Sequence, residues 1–571
     1  MRARRLLRLA AIGAAAAAAV LAVGASAGTT AAPSVVAYPS AQTIPAAGSL
    51  PAGGAGTVTL NAAGGEREGA WVVARGGGEI AVTADVASLE PLQVSLAWGH
   101  FVQIGPRLVP DALVPWDGAS RAAEQPNQPV YLRVTVPRGT DPGTYAGSLS
   151  VTAGGQTTQV PLSVRVFPFE LPDATAGGRT LLTSFHVSAP TYLSTVSRLY
   201  GFGSQAERSA AHGALYRFLA DYYLSPSSWG FGEPRTPSGY VANRKWWLDS
   251  AANMREAAGH PFAAMRVPVS SNRTAPANRI AGLNPSEPER WCDYLRSVRG
   301  FWAEQGWLER SVPYLYGSDE PDLEGQRLVA RQSKVLHGCW PGAQSLMTGN
   351  PTAENSFLAD GKGGDDLDIW VVLTRRYYGR FTAPAAPRSR ERELQTSIGR
   401  VRKTASVWSY TYSGVLGTPG LGANEPLSNS RVLVLWNALE GLDGLLYGQG
   451  TTTYSGGGNP LESLSSNGEY VLLYPGRLEP IPSARLEQLR DGIEDWAVFD
   501  AVRRRGGAGA VRAILGGTGL FSAGRGGTTL ACNLGCALKS ATKYSWPRWS
   551  RDETTARRIE AARLQALRAA R

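Results

Sequence analysis

The spacing of hydrophobic and polar positions changes once along the chain. Between residues 55 and 170, apolar side chains alternate with polar ones, as in Val130 to Val136 and Tyr145 to Thr152. The turn Asp141-Pro142-Gly143 separates those two segments. Short alternating strands joined by turn residues are typical of an antiparallel β-sandwich. The pattern therefore predicts a β-sandwich domain over residues 28–172.

From residue 178 to 502, short apolar runs alternate with segments of helical periodicity, in which Trp291, Leu295 and Val298 share one face. This alternation predicts a parallel sheet covered by helices. Eight strands over roughly 300 residues favour a (β/α)8 TIM-like barrel, with a doubly wound open sheet as the alternative. The predicted strands are Leu181 to His186, Tyr222 to Ser225, Ala264 to Val267, Val312 to Tyr316, Ser345 to Thr348, Asp368 to Val372, Ser406 to Tyr410 and Gly444 to Tyr447.

The fourth predicted strand of this barrel ends in two adjacent carboxylates. Asp319, Glu320 and Pro321 directly follow its apolar run. Proline cannot donate to a sheet and disfavours helix in the residue before it, so the strand must stop there. Because barrel enzymes place their chemistry at the carboxyl ends of the strands, the pair is predicted to lie at the barrel mouth.

Further strand ends carry side chains suited to a sugar, since aromatic rings bury large apolar faces and keep a polar edge. Packing inside the barrel is the alternative for each, above all for a tryptophan between two aliphatic neighbours. The candidate substrate-binding residues are Tyr316, His186, Asn350, Trp370, Trp408, Tyr410 and Tyr447.

The arrangement of acids favours one glycosidase scheme over another. An ordinary retaining glycosidase needs a second carboxylate about 5 Å away as nucleophile. The seventh predicted strand ends in Tyr410-Thr411-Tyr412, without an acid. Adjacent Asp and Glu instead suit a scheme in which the 2-acetamido oxygen of the substrate attacks. If the sugar lacks an acetamido group, Glu425, in the loop after that strand, is the candidate nucleophile.

Four motifs add a family resemblance over roughly residues 125 to 500. They are Pro142-Gly143-Thr144-Tyr145-Ala146-Gly147, Tyr316-Gly317-Ser318-Asp319-Glu320-Pro321, Gly444-Leu445-Leu446-Tyr447, and Tyr474-Pro475-Gly476 followed by Arg485-Leu486-Glu487-Gln488-Leu489-Arg490-Asp491-Gly492-Ile493-Glu494-Asp495-Trp496. Together they resemble glycoside hydrolase family 123 and the related domain of unknown function 4091. The resemblance implies a β-N-acetylhexosaminidase, typified by β-N-acetylgalactosaminidases, acting on an amino-sugar glycan or glycoconjugate. By motif match, Asp319 orients and stabilises the 2-acetamido group, and Glu320 is the acid/base.

The last of these motifs also has a plain structural interpretation. Leu486, Leu489, Ile493 and Trp496 recur at helical spacing and form one apolar stripe, with charged residues on the other faces. We interpret the segment as the last helix of the barrel, without a catalytic role.

The first 27 residues predict a secreted protein. Arg2, Arg4, Arg5 and Arg8 precede an alanine-rich apolar run, which ends in Ala25-Ser26-Ala27. A basic start, an apolar run and a small-x-small site are typical of a signal peptide. A membrane-spanning helix needs about 20 apolar residues, more than this run offers. The mature protein is therefore expected outside the cell, without a membrane partner.

The four cysteines fit an oxidising compartment. Cys292 and Cys339 lie on helical segments that flank the fourth strand, so a disulfide between them is predicted, and Cys532 and Cys536 are close enough to close a small loop. A zinc site is the alternative, but no histidine stands at ligand spacing. We expect neither a metal nor another cofactor.

The formal net charge of +11 does not by itself predict a nucleic-acid partner, because four of the arginines belong to the predicted signal peptide. Residues 503–571 form a glycine-rich and helical extension, and its end from Arg548 to Arg571 is interpreted as a solvated basic helix. The remaining alternative of another class is a non-catalytic extracellular polysaccharide-binding protein with a degenerate barrel.

Overall fold

A computed structural model places most of the chain. It describes residues 34–227, 262–269, 272–273, 283–361, 366–374, 388–411, 418–454, 458–465, 468–521, 549–550 and 552–571. The predicted signal peptide and the pair Cys532 and Cys536 lie outside the described residues. Among the helices of the described ranges, none combines the length and the apolar character needed to cross a bilayer.

Two sheets form the N-terminal region. The first contains β1 (Ser34–Pro39), β3 (Arg67–Arg75), β5 (Gln93–Ile104), β6 (Arg107–Trp116), β8 (Asn127–Thr135) and β19 (Ser463–Leu464). The second contains β2 (Val58–Gly64), β4 (Glu79–Asp85), β7 (Arg121–Ala122), β9 (Gly143–Ala153) and β10 (Gln156–Glu170). Val72 and Leu132 of the first sheet share one hydrophobic core with Val82 and Leu149 of the second. The pairing is antiparallel except for β10 with β2 and β19 with β5, which are parallel and depart from the predicted all-antiparallel arrangement.

A third sheet is parallel and nearly closed. Its order is β11 (Leu182–His186), β18 (Gly444–Gly450), β17 (Ser406–Thr411), β16 (Ile369–Leu373), β15 (Gln344–Thr348), β14 (Val312–Asp319) and β12 (Ala264–Arg266), with β13 (Asn272–Arg273) beside the end of β14. A small antiparallel pair, β20 (Leu473–Tyr474) and β21 (Ile481–Pro482), lies outside it. We call the third sheet the barrel sheet. Seven of the eight predicted barrel strands are present in it.

Helices cover the outside of the barrel sheet. They are α1 (Ala189–Tyr200), α2 (Gln205–Asp221), α3 (Pro288–Glu304), α4 (Leu323–Cys339), α5 (Arg388–Val401), α6 (Asn429–Glu440) and α7 (Ala484–Gly517). A further helix, α8 (Thr555–Ala569), packs on α7 and on β1, β2 and β10 of the N-terminal sheets. The predicted apolar face of α3 is buried against the sheet. A disulfide joins Cys292 of α3 to Cys339 of α4, with Cα atoms 4.9 Å apart, as predicted.

The predicted second strand, Tyr222 to Ser225, is wrong. Tyr222 follows α2 directly and Tyr223 adopts a left-handed backbone, with φ of 57°. Among the described residues, an isolated parallel bridge between Phe185 and Pro226 marks the place of a strand between β11 and β12. The Phe185 N–H donates to the Ser225 carbonyl at 2.8 Å, and the Ser227 N–H donates to the Phe185 carbonyl at 2.7 Å.

The C-terminal region is more buried than predicted. The predicted boundary at residue 503 falls within α7, shortly before a kink at Gly507, where φ is 71°, and the helical segment runs on to Gly517. On α8, the side chains of Ile559, Ala562 and Ala566 are buried, and Arg563 is 1% exposed. The interpretation of this segment as a solvated helix is therefore wrong for that face, because carboxylates distant in sequence neutralise its charge.

These carboxylates form a charge cluster between the first sheet and helices α6, α7 and α8. Its members are Glu66, Glu68, Arg431, Asp491, Asp495, Glu560 and Arg563. Arg431 lies 3.0 Å from Glu68 and 2.7 Å from Asp495. Arg563 lies 2.6 Å from Glu66. A separate buried pair, Arg485 and Asp111 at 2.7 Å, ties the start of α7 to β6.

Candidate active site

A bulge in β14 brings Asp319 to the interior side of the barrel sheet. Tyr314 and Tyr316 belong to the interior cluster, as two-residue alternation requires. A residue three positions after Tyr316 would then face the helices. The register against β15 shifts between Tyr316 and Ser318, which inserts one residue and reverses that parity. The Tyr316 hydroxyl accordingly donates to Asp319 Oδ1 at 2.9 Å.

Glu320 leaves strand geometry and turns toward the mouth. Its φ is 44°, in the left-handed region that non-glycine residues rarely adopt. Its carboxylate Oε1 accepts a hydrogen bond from the hydroxyl of Tyr410. Tyr410 stands on β17 and belongs to the interior cluster, so Glu320 faces the barrel mouth rather than the outer helices.

Thr348 links the two acids. It is the last residue of β15 and is 1% exposed. Its Oγ1 accepts from the backbone N–H of Glu320 at 2.7 Å and donates to Asp319 Oδ1 at 2.9 Å. Thr348 is not among the site residues predicted from the sequence. The signal was available, because Thr348 stands two positions after the interior residue Leu346 at the carboxyl end of a strand.

Arg266 and Tyr316 form the polar floor beside Asp319. The Arg266 guanidinium lies 5.3 Å from the centroid of the Tyr316 ring, within cation–π range. It also donates to the carbonyl of Val269 at 3.1 Å. Burial, and then the nearby Asp319 charge, raise the pKa of Tyr316 well above its usual value. Tyr316 therefore remains protonated and a donor to Asp319.

The structure brings some predicted sugar-binding residues to the acid pair or its rim. Tyr316 and Tyr410 contact Asp319 and Glu320 directly. His186 is exposed at the end of β11, and Asn350 is half-buried just after β15. Both remain predictions for the rim of the site.

Trp408 lies deeper in the barrel. It is fully buried in the interior cluster and packs edge-on against Tyr314, with ring centroids 5.9 Å apart. Its indole N–H donates to Ser406 Oγ at 3.2 Å. Since Ser406 begins β17, the indole points toward the amino end of the barrel. Trp408 therefore fills the barrel interior toward its amino end rather than lining the mouth.

Trp370 and Tyr447 are packing residues of the outer layer, which corrects their assignment to the sugar site. Both are buried in the cluster between the barrel sheet and its helices. Trp370 alternates with interior neighbours and must face outward. Tyr447 donates to the carbonyl of Glu469 at 2.6 Å and packs on Phe185.

Glu425, the alternative nucleophile, is engaged within its own loop. Its Oε2 accepts from the Asn429 side chain at 2.7 Å and from the Gly420 N–H at 3.2 Å. These bonds hold the carboxylate at the start of α6.

Two other features lie away from the acid pair. The carboxylates of Glu66, Glu68 and Asp495 approach within 4.8 Å of one another, a spacing that suits a metal ion. Arg563 Nε, however, lies 2.9 Å from Glu68 and 3.0 Å from Asp495, so a guanidinium holds the cation position. A cavity of about 310 Å³ lies at the amino end of β14, the end opposite the acids.

A family match covers the part of the chain that carries this site. Residues 260–502 match the family model described as "Glycoside hydrolase 123, catalytic domain". This region of the chain, residues 260–502, is similar to the catalytic domain of glycoside hydrolase family 123. The family 123 region includes β12, both acids and Thr348, and it ends within α7. The resemblance of the motifs is confirmed, and the barrel carries a glycosidase catalytic domain.

Solved structures with a similar arrangement include a family 123 glycoside hydrolase from Clostridium perfringens, whose structure gives the details of glycolipid glycan hydrolysis. It is 13% identical, has a TM-score of 0.62 and covers 94% of this chain and 99% of its own. This likeness shows a shared fold. A Bacteroides ovatus GH5 xyloglucanase has a TM-score of 0.30 at 10% identity, covering 76% of this chain and 98% of its own. A Parabacteroides merdae β-glucuronidase has a TM-score of 0.27 at 11% identity, covering 76% of this chain and 50% of its own. No curated protein matches the sequence.

Proposed function

We propose that this family 123 protein is a secreted, retaining β-N-acetylhexosaminidase of the β-N-acetylgalactosaminidase type, in which the 2-acetamido group of the substrate is the nucleophile. The observation that carries the proposal is the arrangement of Asp319 and Glu320. The two acids are neighbours in sequence, both face the barrel mouth, and each is held by a different tyrosine.

The reaction follows from this arrangement in two steps. The acetamido oxygen attacks the anomeric carbon while Glu320 gives its proton to the leaving oxygen, which breaks the glycosidic bond and forms a cyclic oxazolinium ion. Asp319 stabilises the positive charge that develops on the acetamido nitrogen. Glu320, now ionised, takes a proton from water, which opens the ring at the anomeric carbon. Two inversions give net retention.

The hydrogen bonds around Asp319 support its role. Tyr316 and Thr348 both donate to Oδ1. These bonds fix the carboxylate through Oδ1, so that Oδ2 is the oxygen proposed to face the substrate. Apart from β14, none of the strands in the described barrel sheet ends in a carboxylate. A scheme that uses the acetamido group needs no further acid.

The proposed substrate is an amino-sugar glycan or glycoconjugate. The Clostridium perfringens relative, which hydrolyses glycolipid glycans, supports a glycoconjugate among the choices. The N-terminal segment supports export, since it has the order of basic, apolar and small residues that signal peptides share.

A substrate panel tests the proposal on the chain without residues 1–27. The panel contains aryl β-N-acetylgalactosaminide, aryl β-N-acetylglucosaminide and the matching glycosides with a plain 2-hydroxyl. We expect hydrolysis only of the acetamido sugars, retention of the anomeric configuration by NMR, and inhibition by a thiazoline that mimics the cyclic intermediate. Glu320→Gln should lower kcat/KM for substrates with poor leaving groups by roughly 10²–10³-fold.

Glu425→Gln is the matched control for the alternative glycosidase. It should keep the activity of the parent chain, because the proposed scheme gives Glu425 no chemical role and its carboxylate accepts hydrogen bonds from Gly420 and Asn429. Hydrolysis of a plain 2-hydroxyl sugar that Glu425→Gln abolishes would favour the alternative nucleophile. Binding of polysaccharide without hydrolysis of any member of the panel would favour the non-catalytic alternative.

A further inference from the structure

We infer that Thr348 is a positioning residue that sets the geometry of both acids through one hydroxyl. This inference deepens the proposed function, since it concerns the same site, and it rests on the assignment of Asp319 and Glu320 as the acid pair. Thr348 is thus the residue that allows two adjacent carboxylates to act in one site at the end of a single strand.

The direction of each hydrogen bond follows from the donors present. The Glu320 backbone N–H can only donate, so Thr348 Oγ1 accepts it at 2.7 Å. The threonine hydroxyl then has one hydrogen left, and it points to Asp319 Oδ1 at 2.9 Å. The carboxylate can only accept. One hydroxyl therefore holds the backbone of Glu320 and the side chain of Asp319 at the same time.

Sheet register explains why Thr348 reaches both acids. Met347 pairs with Ser318 immediately after the bulge, so Thr348 comes to lie beside Asp319. Leu346 and Thr348 share the interior side, where Tyr316 also lies. Because threonine is β-branched, its side chain is restricted to few rotamers. The hydroxyl is therefore presented in a fixed direction.

The backbone of Glu320 needs such a restraint. A non-glycine residue with φ of 44° is disfavoured relative to extended backbone. Such conformations persist where the surroundings over-determine them, and they concentrate at functional sites. The bond from the Glu320 N–H to Thr348 is a direct restraint on that peptide. Without it, the backbone can relax and turn the Glu320 carboxylate away from Tyr410.

Thr348→Val tests the inference, because valine keeps the shape and removes the hydroxyl. We expect kcat on an activated aryl glycoside to fall about 30-fold, with KM within about twofold, since ground-state binding does not need the exact acid geometry. Thr348→Ser should restore kcat to within about threefold of the parent, because serine keeps the hydroxyl.

Thr183→Val is the matched control for a lost buried hydroxyl. Thr183 is also 1% exposed, accepts a backbone N–H from Ser225 at 2.9 Å and donates to the Tyr223 carbonyl. It makes the same kinds of bond away from the acids. Its loss should lower thermal stability and leave kcat unchanged. An equal fall of kcat in both valine variants would overturn the inference.

A double-mutant cycle with Asp319→Asn separates positioning from a general effect. On an activated aryl glycoside, which needs little protonation by Glu320, Thr348 acts chiefly through Asp319, so Thr348→Val should change the residual rate of Asp319→Asn by less than about threefold. Fully additive losses would contradict the inference. If the panel shows that only plain glycosides are hydrolysed, the proposed function fails, and the same cycle is measured on that glycoside.

Crystal structures give a readout that does not depend on activity. In Thr348→Val, the Glu320 backbone should leave the left-handed region and the Asp319 carboxylate should rotate away from Tyr316. In Thr348→Ser and Thr183→Val, both should stay as in the parent protein. An unchanged acid pair in the valine variant at position 348 would show that Thr348 does not position it.

Discussion

At the scale of single residues, Asp319 and Glu320 share a strand end but not a chemical environment. Asp319 Oδ1 accepts from Tyr316 and Thr348, and Asp319 is partly buried, whereas Glu320 is exposed and accepts from Tyr410. Two donors on one oxygen hold the Asp319 carboxylate in a fixed orientation, as its proposed role requires. An exposed carboxylate at the mouth is suited to exchange protons with a leaving group and with water.

The two acids should therefore respond differently to substitution. Asp319→Asn removes the charge that stabilises the acetamido nitrogen, so kcat/KM should fall by roughly 10²–10³-fold whatever the leaving group. Glu320→Gln should cost as much for poor leaving groups but far less for activated aryl glycosides, which need little protonation. The measurement is kcat/KM across aryl glycosides of graded leaving-group acidity. Identical dependence on leaving group in both variants would contradict the assigned roles.

The sequence predicted this site in part. The acid pair could be recognised because a proline and an apolar run fix where the strand ends. Trp370 was misassigned because a strand end indicates the mouth but does not say which face a side chain takes. Thr348 was missed because its importance depends on the bulge in β14, and the shift of register that creates the bulge is visible only when β15 is in place.

At the scale of elements, Gly317 allows β14 to approach α4 closely. A Cβ at this position would meet Gln332 Oε1 at 3.2 Å and Val329 Cγ1 at 3.3 Å, both on α4. Gln332 is itself held, since its amide donates to the Leu283 carbonyl at 2.8 Å. The strand and α4 are thus in close contact directly before the acids.

Gly317→Ala should consequently push β14 away from α4. We expect it to lower the free energy of unfolding by about 1–3 kcal/mol and to lower kcat, because the acids follow within three residues. Gly300→Ala is the control. Gly300 lies on α3 with nothing within 4 Å of an added Cβ, so alanine should stabilise by about 0.5–1 kcal/mol through helix propensity. Chemical denaturation of both variants checks this, and a stable, fully active Gly317→Ala would contradict it.

The disulfide between α3 and α4 makes a second prediction at this scale. It closes a loop with a sequence separation of 47 residues, and a loop of that length should stabilise the folded chain by about 4 kcal/mol through the entropy of the unfolded state. The variant with Cys292→Ser and Cys339→Ser should unfold at correspondingly lower denaturant. Reductant should lower the midpoint of the parent and leave that of the double variant unchanged. A parent midpoint insensitive to complete reduction would refute this estimate.

Elements were predicted well where the hydrophobic periodicity agrees with the residues that end the segment, as for α3 and β14. The second barrel strand was predicted wrongly because Tyr222, Tyr223 and Leu224 look like a strand in isolation. In the folded chain, these residues close α2, and Tyr222 and Tyr223 contact the carboxylates of Glu487 and Glu494 on α7. A tertiary contact overrides the local pattern there.

At the scale of the whole molecule, the charged faces of α7 are the feature that sequence analysis could not place. The apolar stripe was identified correctly, but the polar residues between its members are buried as well. Glu487 contacts Arg133 of β8, and Asp495 contacts Arg431 and Arg563. The N-terminal sheets and α8 cover these faces. Which partner neutralises a charged helix face depends on contacts hundreds of residues apart, and no local pattern records them.

Within the charge cluster, two guanidiniums face five carboxylates, so the carboxylates do not all gain a full counter-charge. Burial raises the pKa of Glu66 to about 8, although Arg563 lowers it, and the charges of Glu68 and Glu494 raise it further. Glu487 is also buried, but Arg133 and Arg67 outweigh the burial and lower its pKa to about 2. The two buried glutamates should therefore affect the stability of the folded protein over different pH ranges, Glu66 at higher pH and Glu487 at lower pH.

The pH dependence of unfolding should reveal this difference. Because the folded-state pKa of Glu66 lies above its unfolded value of about 4.5, its stabilising contribution is complete below pH 4.5 and is lost as the pH rises through about 8. The contribution of Glu487 is present above pH 4.5 and is lost only as the pH falls toward 2. Between pH 6 and 9, the free energy of unfolding should thus decrease, on the order of 2 kcal/mol, and Glu66 should account for much of the decrease.

Glu66→Gln mimics the protonated carboxyl and should flatten the dependence of the free energy of unfolding on pH. Glu487→Gln, the matched control, should lower stability by a similar amount throughout this window, since it leaves Arg133 and Arg67 without their counter-charge. Urea unfolding at several pH values measures both, and an unchanged slope in Glu66→Gln would show that the buried glutamate is ionised in the folded protein.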